Sequence, residues 1–267
     1  MSEAVLDRFG QAYARHREAE GRGYSGEGLA ALPYLKSGPL AHQWRVRARS
    51  FEALMRHVVR PQRRRLGRSL DVLDLGAGNG WLSYRLAQEG DSTIALDVRT
   101  DCVDGLGVAT SLASASRGKM RCVAASFQAT RLADASVDIA LFNASLHYAT
   151  DLELAVAEAA RVTRGGGMIV ILDTPFYRQH SDGAAMVAEK RAGAEQVFGE
   201  AAEVLLAPNF VEFLTPRSLA EASRGAGLEW RRRRVVYPLW YELRPLRAWL
   251  AGRRRPSRFD LWLADRP

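Results

Sequence analysis

Residues 72–80 read Val72-Leu73-Asp74-Leu75-Gly76-Ala77-Gly78-Asn79-Gly80, an apolar run that breaks into three glycines at alternate positions. The run 70–75 has the length and apolar density of a buried parallel strand, and 81–89 reads as a helix with Leu82 and Leu86 facing inward. The glycines therefore lie between strand and helix. Glycine there permits positive φ and lets a ligand approach the backbone, while the helix start offers unpaired N–H groups.

The spacing discriminates between ligands. A dinucleotide fingerprint is Gly-x-Gly-x-x-Gly and seats a pyrophosphate on the helix N-terminus. Here the pattern is Gly-x-Gly-x-Gly with Asp74 two residues before the first glycine, and a carboxylate there repels phosphate but suits an ammonium group, directly or through water. A second short strand, 93–96, ends in Asp97, about 20 residues past the loop, where an acidic side chain can accept both hydroxyls of a ribose. The implied ligand joins an adenosine-like ribose to an amino-acid end.

Further pieces follow in order: Ser126-Phe127, then Ser136-Val137-Asp138 leading into Leu141-Phe142-Asn143, then Arg161-Val162-Thr163-Arg164-Gly165-Gly166-Gly167 before the run 168–173. With the glycine loop and Asp97 these resemble the class I S-adenosylmethionine-dependent methyltransferases, in particular the broad small-molecule group that includes the quinone-biosynthesis C-methyltransferases. The resemblance covers 69–173 and resumes near Thr215. It implies an α/β fold, a Rossmann-like seven-stranded and mostly parallel sheet with helices on both faces. It also implies S-adenosylmethionine as cofactor, held by Asp74, Gly76, Gly78, Asn79, Gly80, Asp97, Ser126, Phe127 and Asn143. Relatives place an acidic residue where Ser126 stands; a hydroxyl can still accept the adenine amino hydrogen, without charge assistance. Phe127 is expected as an apolar wall for the adenine plane.

The expected strands are 70–75, 93–97, 120–124, 137–142 and 167–173, with a last pair, 228–236 and 258–263, antiparallel at one edge of the sheet. The fourth delivers Asn143-Ala144-Ser145-Leu146-His147-Tyr148 at its carboxyl end, the edge where open α/β sheets bind ligands. His147 is the candidate general base, since imidazole titrates near neutrality; packing against the cofactor is its other reading. DNA and protein amide methyltransferases usually carry Asn-Pro-Pro-Tyr here, and this chain does not. A helix at 101–116, capped by Asp101, contains Gly105 and Gly107, and an alanine-rich helix at 151–161, capped by Thr150 or Asp151, is expected to put Leu154, Val156 and Ala160 on the sheet.

Outside the sheet, residues 1–68 read as an N-terminal helical cap on a domain spanning 69–267. A first helix over 2–20 carries Val5, Leu6, Phe9, Ala12, Tyr13 and His16 on one face, and a second over 41–59 turns Trp44, Phe51, Leu54, Met55 and Val58 inward. Tyr13, His16, Tyr24 and Tyr34 are candidate substrate-lining residues of the cap. The segment 176–214, inserted before a helix at 216–224, is expected as a substrate lid with Tyr177, Arg178, His180, Phe198, Asn209 and Phe210 as candidates. A second insertion, 237–257, holds a short helix whose Trp249 should pack under a loop.

Composition sets the outer bounds. At 267 residues and 47% hydrophobic content, one large α/β domain with additions is expected. No 18-residue apolar run and no signal-peptide core occur, which reads as a cytoplasmic protein without a membrane span. Cys102 and Cys122 read as reduced thiols, and the scattered histidines predict no metal. The net charge of +8 invites a nucleic-acid partner, yet only Lys36, Lys119 and Lys190 among the 38 basic residues are lysine, an arginine bias that base composition explains as well. The runs 63–65, 231–234 and 253–255 read as solvated faces. The expected function is methyl transfer to a small or medium organic acceptor. Alternatives are an RNA methyltransferase using the basic surface and a non-catalytic cofactor-binding scaffold. Acceptor atom and oligomeric state stay open.

Overall fold

The computed structural model describes residues 3–267, with side-chain placement from Asp7 onward. The expectations for Val5 and Leu6 lie outside the described residues. The N-terminal part is helical: α1 (Glu3–Ala19), α2 (Gly26–Ala31), α3 (Ala41–Leu54), a π-helical turn (Met55–Val59) and α4 (Arg60–Leu66). The helical run that α3 begins continues through the π turn and α4 to Leu66, beyond its expected end at 59: Pro61 falls in the first turn of α4, and Gly67 at φ 66° ends the run.

The sheet unit follows: β1 (Asp71–Leu75), α5 (Trp81–Gln88), β2 (Ser92–Asp97), α6 (Leu106–Ala115), β3 (Met120–Ala124), β4 (Val137–Asn143), α7 (Leu152–Val162) and β5 (Thr163–Leu172). After it come α8 (His180–Ala192), α9 (Ala194–Phe198), α10 (Ala202–Leu206), α11 (Pro216–Ala222), β6 (Arg231–Arg233), α12 (Leu239–Glu242), α13 (Arg244–Leu250) and β7 (Leu261–Asp265). The seven strands stand in the order β3-β2-β1-β4-β5-β7-β6. The first five pair in parallel, and β7 pairs antiparallel with both β5 and β6. This is the expected Rossmann-like architecture. Its strand order reverses between β1 and β4, and a crevice opens there beyond the carboxyl ends of the strands.

Alternate strand residues feed two cores. Val72, Ile139, Leu141, Val170 and Leu172 meet Trp81, Leu82, Leu86 and the inward face of α3. Leu73, Leu75, Phe142, Ile169 and Ile171 meet Val156, Ala159, Val162 and Leu219 on the other face. Trp44, Phe51, Leu54, Met55 and Val58 are buried as expected.

Three local expectations fail for identifiable reasons. Leu154 is 55% exposed, because Ala155, Val156, Ala159 and Ala160 already form the sheet-facing stripe of α7. Asp101 caps no helix; its Oδ1 accepts the Val103 and Asp104 N–H groups of a separate turn, and α6 begins after Gly105. Trp249 is 74% exposed, since α13 lies on the surface with Leu246 and Leu250 also outward. The arginine runs are largely exposed, as expected of solvated faces, and several members also pair with acids: Arg63 forks onto buried Asp91, Arg231 pairs with Asp265, Arg232 with Asp260, Arg234 with Glu242 and Arg254 with Glu189.

Candidate functional site

A cavity of about 950 Å³ occupies the crevice, lined by the Gly76–Asn79 turn, Asp97 to Asp101, Ser126, Phe127 and Asn143 to Ser145 from the sheet side. Phe9, Tyr13 and Arg17 of α1, Trp44 and Arg47 of α3, and Phe210 close it from the other. Among the described residues no group of three or more His, Cys, Asp or Glu is placed to hold a metal.

The glycine turn is tied to β2 by its backbone. Gly76 and Ala77 N–H both donate to Leu96 carbonyl, at 2.8 and 2.9 Å. Asp97 then receives Gly78 N–H on Oδ2 and Arg99 N–H on Oδ1, each at 2.8 Å. One lone-pair direction of each oxygen is thereby used, and the other remains for a ligand in the cavity that Asp97 lines. Burial raises its carboxyl pKa, against the pull of those two N–H groups and Arg99.

The three glycines do different work. Gly76 and Gly78 line the cavity at φ 78° and 54°, and a Cβ on Gly76 would stand 2.5 Å from Ser145 Cβ. Gly80, expected to bind cofactor, instead packs behind the turn: a Cβ there would meet Met120 Cε at 2.6 Å and Ala109 Cβ at 2.9 Å. Asp74 likewise lies beneath the turn rather than on the cavity lining, 1% exposed, with Oδ2 accepting Ser83 Oγ–H at 2.9 Å and Oδ1 unpartnered. Burial pushes its carboxyl up to about 7, with Asp97 adding to the rise and Ser83 opposing it.

Asn79 lines the cavity with its amide committed, Nδ2 donating to Asp104 Oδ1 at 2.8 Å while Asp104 Oδ2 accepts Arg17 Nε–H at 2.8 Å. Ser126 and Phe127 both reach the lining. Ser126 Oγ accepts Gln128 N–H at 3.1 Å, and the Phe127 ring stands edge-on to Phe142. Asn143 is buried and its Oδ1 has no partner.

His147 does not line the cavity, and Tyr148 does. The imidazole lies tilted against the Tyr148 ring at 4.3 Å, with Nδ1 unpartnered. Burial, then the positive charges of Lys190, Arg47 and Arg17, hold it near 3. His147 therefore stands off the lining, and burial with the neighbouring cations disfavours its protonated form.

Of the cap and lid candidates, Tyr13 and Phe210 reach the cavity. His16 packs on Phe198, Tyr24 accepts Trp44 Nε1–H at 2.8 Å, and Tyr34 is 45% exposed. Tyr13 and Tyr148 share a hydrogen bond at 2.9 Å between hydroxyls, and Phe9 meets Phe210 edge-on at 5.2 Å. Arg17, Arg47, Arg99, Asp104 and Tyr148 are site residues that sequence reasoning missed. Arg17 stands one turn after Tyr13 on the apolar face of α1, the one signal that could have found it.

Residues 73–171 match the family model for a methyltransferase domain. The malonyl-[acyl-carrier protein] O-methyltransferase of Erwinia pyrifoliae is 31% identical over 106 residues, 40% of this chain and 38% of that protein. Its counterpart from Erwinia billingiae is 33% identical over 99 residues, 37% of each. The matched segment thus spans less than two fifths of those curated relatives. Among solved structures, a putative sarcosine dimethylglycine methyltransferase from Galdieria sulphuraria superposes with a TM-score of 0.60 at 15% identity, covering 97% of this chain and 98% of that one. Geranyl diphosphate C-methyltransferase from Streptomyces coelicolor A3(2) gives 0.59 at 16% identity, covering 89% and 88%. Residues 73–171 thus carry a methyltransferase domain, set in a Rossmann-like fold shared with methyltransferases of known structure.

Proposed function

We propose that this chain moves the methyl group of S-adenosylmethionine onto a small or medium organic acceptor, and that a carboxylate oxygen is the favoured nucleophile. The observation that carries the first part is Asp97: a carboxylate fixed by two backbone N–H groups, with one free acceptor direction per oxygen, beside a glycine turn open to the same cavity. The residues present fit the cofactor. Asp97 takes the two ribose hydroxyls, Phe127 walls the adenine plane and Ser126 stands at its amino edge. The Gly76–Gly78 backbone would admit the amino-acid end, and Asn143 Oδ1, buried and unpartnered on a lining residue, would meet its ammonium group; Asp74 lies beneath the turn.

The bound cofactor supplies an already activated methyl group, so the protein has to align the nucleophile and exclude water. Phe9, Tyr13, Tyr148 and Phe210 form an aromatic cover for that purpose. In this reading residues 1–68 are the cap and 176–214 the lid that select the acceptor. Arg47 lines the cavity and forms no salt bridge among the described residues, although it stands close enough to Asp173 to oppose the rise that burial gives the pKa of that carboxyl, so it can supply a charge for an anionic acceptor. A carboxylate needs no proton removed, which agrees with a site in which His147 stands off the lining. The O-methyltransferases of malonyl-[acyl-carrier protein] that match this chain support the same class of acceptor. The pairing of arginines in the runs 63–65 and 231–234 with acids favours this reading over an RNA substrate.

Calorimetric titration with S-adenosylhomocysteine and with NAD tests the cofactor assignment. The expected result is one saturable site for the first and none for the second; binding of NAD alone would overturn it.

A further inference from the structure

The chain has a second cavity, of about 410 Å³, and none of its lining residues line the first. It lies against β6 and β7 and the α12–α13 segment, away from the reversal point of the sheet. We propose that it is a binding site for a phosphate-type dianion, a phosphate ester or a diphosphate.

Three buried polar atoms on its lining residues have no hydrogen-bond partner: Tyr241 Oη, Arg244 Nε and Trp262 Nε1. Tyr241 is 3% and Trp262 8% exposed, so water does not readily serve them. The indole and guanidinium N–H groups can only donate, and the Tyr241 hydroxyl, which burial keeps protonated against the pull of the Phe259 backbone N–H, has its proton free to donate. Three orphaned donors around one cavity call for an acceptor with several oxygens.

Charge points the same way. Arg178, Arg232, Arg234, Arg244, Arg255 and Arg258 all line the cavity. Against these six stand three carboxylates: Asp260 on the lining, Glu242, which pairs with Arg234 and Arg258, and Asp182, whose Oδ1 accepts the Arg255 backbone N–H. Three positive charges are left over, and the side chains of Arg178 and Arg255 form no salt bridge among the described residues. Arginine forks suit phosphate oxygens in pairs. The stacked Phe176 and Trp262 rings, 4.6 Å apart, offer an apolar wall to the organic part of an ester. The site stands independently of the methyl-transfer reading.

The test is calorimetric titration of the full chain with inorganic pyrophosphate at physiological ionic strength, repeated on three variants. Arg178→Ala/Arg255→Ala removes two exposed side chains without hydrogen bonds, and thermal melting should show it folded. It should weaken binding about tenfold or more. Tyr241→Phe keeps the ring, deletes only the donor and should weaken binding about threefold or more. Arg17→Ala, in the first cavity, should leave pyrophosphate affinity unchanged. Absence of saturable binding, retention of full affinity in the first two variants, or its loss in Arg17→Ala would each overturn the proposal.

Discussion

Replacing Asp97 by alanine should cost the chain most of its affinity for the cofactor while leaving the fold in place. Each carboxylate oxygen spends one lone pair on a backbone N–H at 2.8 Å and keeps one for a ribose hydroxyl. Hydrogen bonds to a charged acceptor contribute roughly 1.5–3 kcal/mol each. Two of them, reduced because water meets the same oxygens in the unbound protein, give about 2 to 4 kcal/mol. That is a rise of about 30- to 1000-fold in Kd for S-adenosylhomocysteine. Asp97→Asn keeps one acceptor oxygen and should lose roughly half that free energy. The assay is isothermal titration of the three proteins, with circular dichroism and urea melts alongside. The Gly78 and Arg99 N–H groups sit at the cavity edge, where water can replace the lost acceptor, so folding should survive. An alanine variant that binds within about threefold of the parent would refute the ribose role; one that is unfolded would make Asp97 structural.

Further outcomes follow from the same geometry. His147→Gln should keep turnover within about threefold at saturating cofactor from pH 6 to 9, whereas a positioned base would cost about 10²- to 10⁴-fold. The His147 imidazole titrates near 3 in the folded chain and near 6.5 unfolded, so its stabilising contribution is complete above about 6.5 and is lost as pH falls toward 3. Urea melts of parent and His147→Gln between pH 4 and 7 should therefore converge on the acid side; a difference that does not change with pH contradicts the buried, neutral ring. Arg47→Ala should raise KM for an anionic acceptor about tenfold or more with little change in cofactor affinity, and an unchanged KM would remove Arg47 from acceptor binding. Gly80→Ala forces a Cβ to within 2.6 Å of Met120 Cε at φ 71°. It should destabilise by roughly 1–3 kcal/mol in urea, and a neutral result would show that the packing behind the turn yields freely.

The sheet was legible because its signals are local. An apolar run ending at Gly76, an acid at Asp97 and the run 137–143 each depend on a few adjacent residues, and parallel order follows once helices alternate with strands. What the sequence does not display is which side of a turn a residue occupies. Gly76 and Gly80 look alike in the motif, yet one faces a cavity and the other Met120. His147 and Tyr148 are neighbours, and a single residue of 3₁₀ rotation decides which of them lines the cavity. The walls supplied by α1 and α3 come from far along the chain, as in the Arg17–Asp104 and Trp44–Trp81 contacts, and no short-range pattern encodes them. The chain beyond β5 was the least legible part. Its arginine runs read as surface, and the acids that some of them meet, Asp260 and Asp265, arrive from β7 and its approach.

Transfer of a methyl group from S-adenosylmethionine in this cavity to a small acceptor is directly measurable. Incubating the protein and a metabolite extract with methyl-deuterated S-adenosylmethionine, then reading the mixture by mass spectrometry, measures that transfer in one step. The expected product is a deuterated methyl ester of a carboxylate-bearing acceptor, with S-adenosylhomocysteine formed in equal amount and both abolished by Asp97→Ala. Deuterium confined to the cofactor, in a sample that titration shows to be cofactor-loaded, would contradict the methyl-transfer reading.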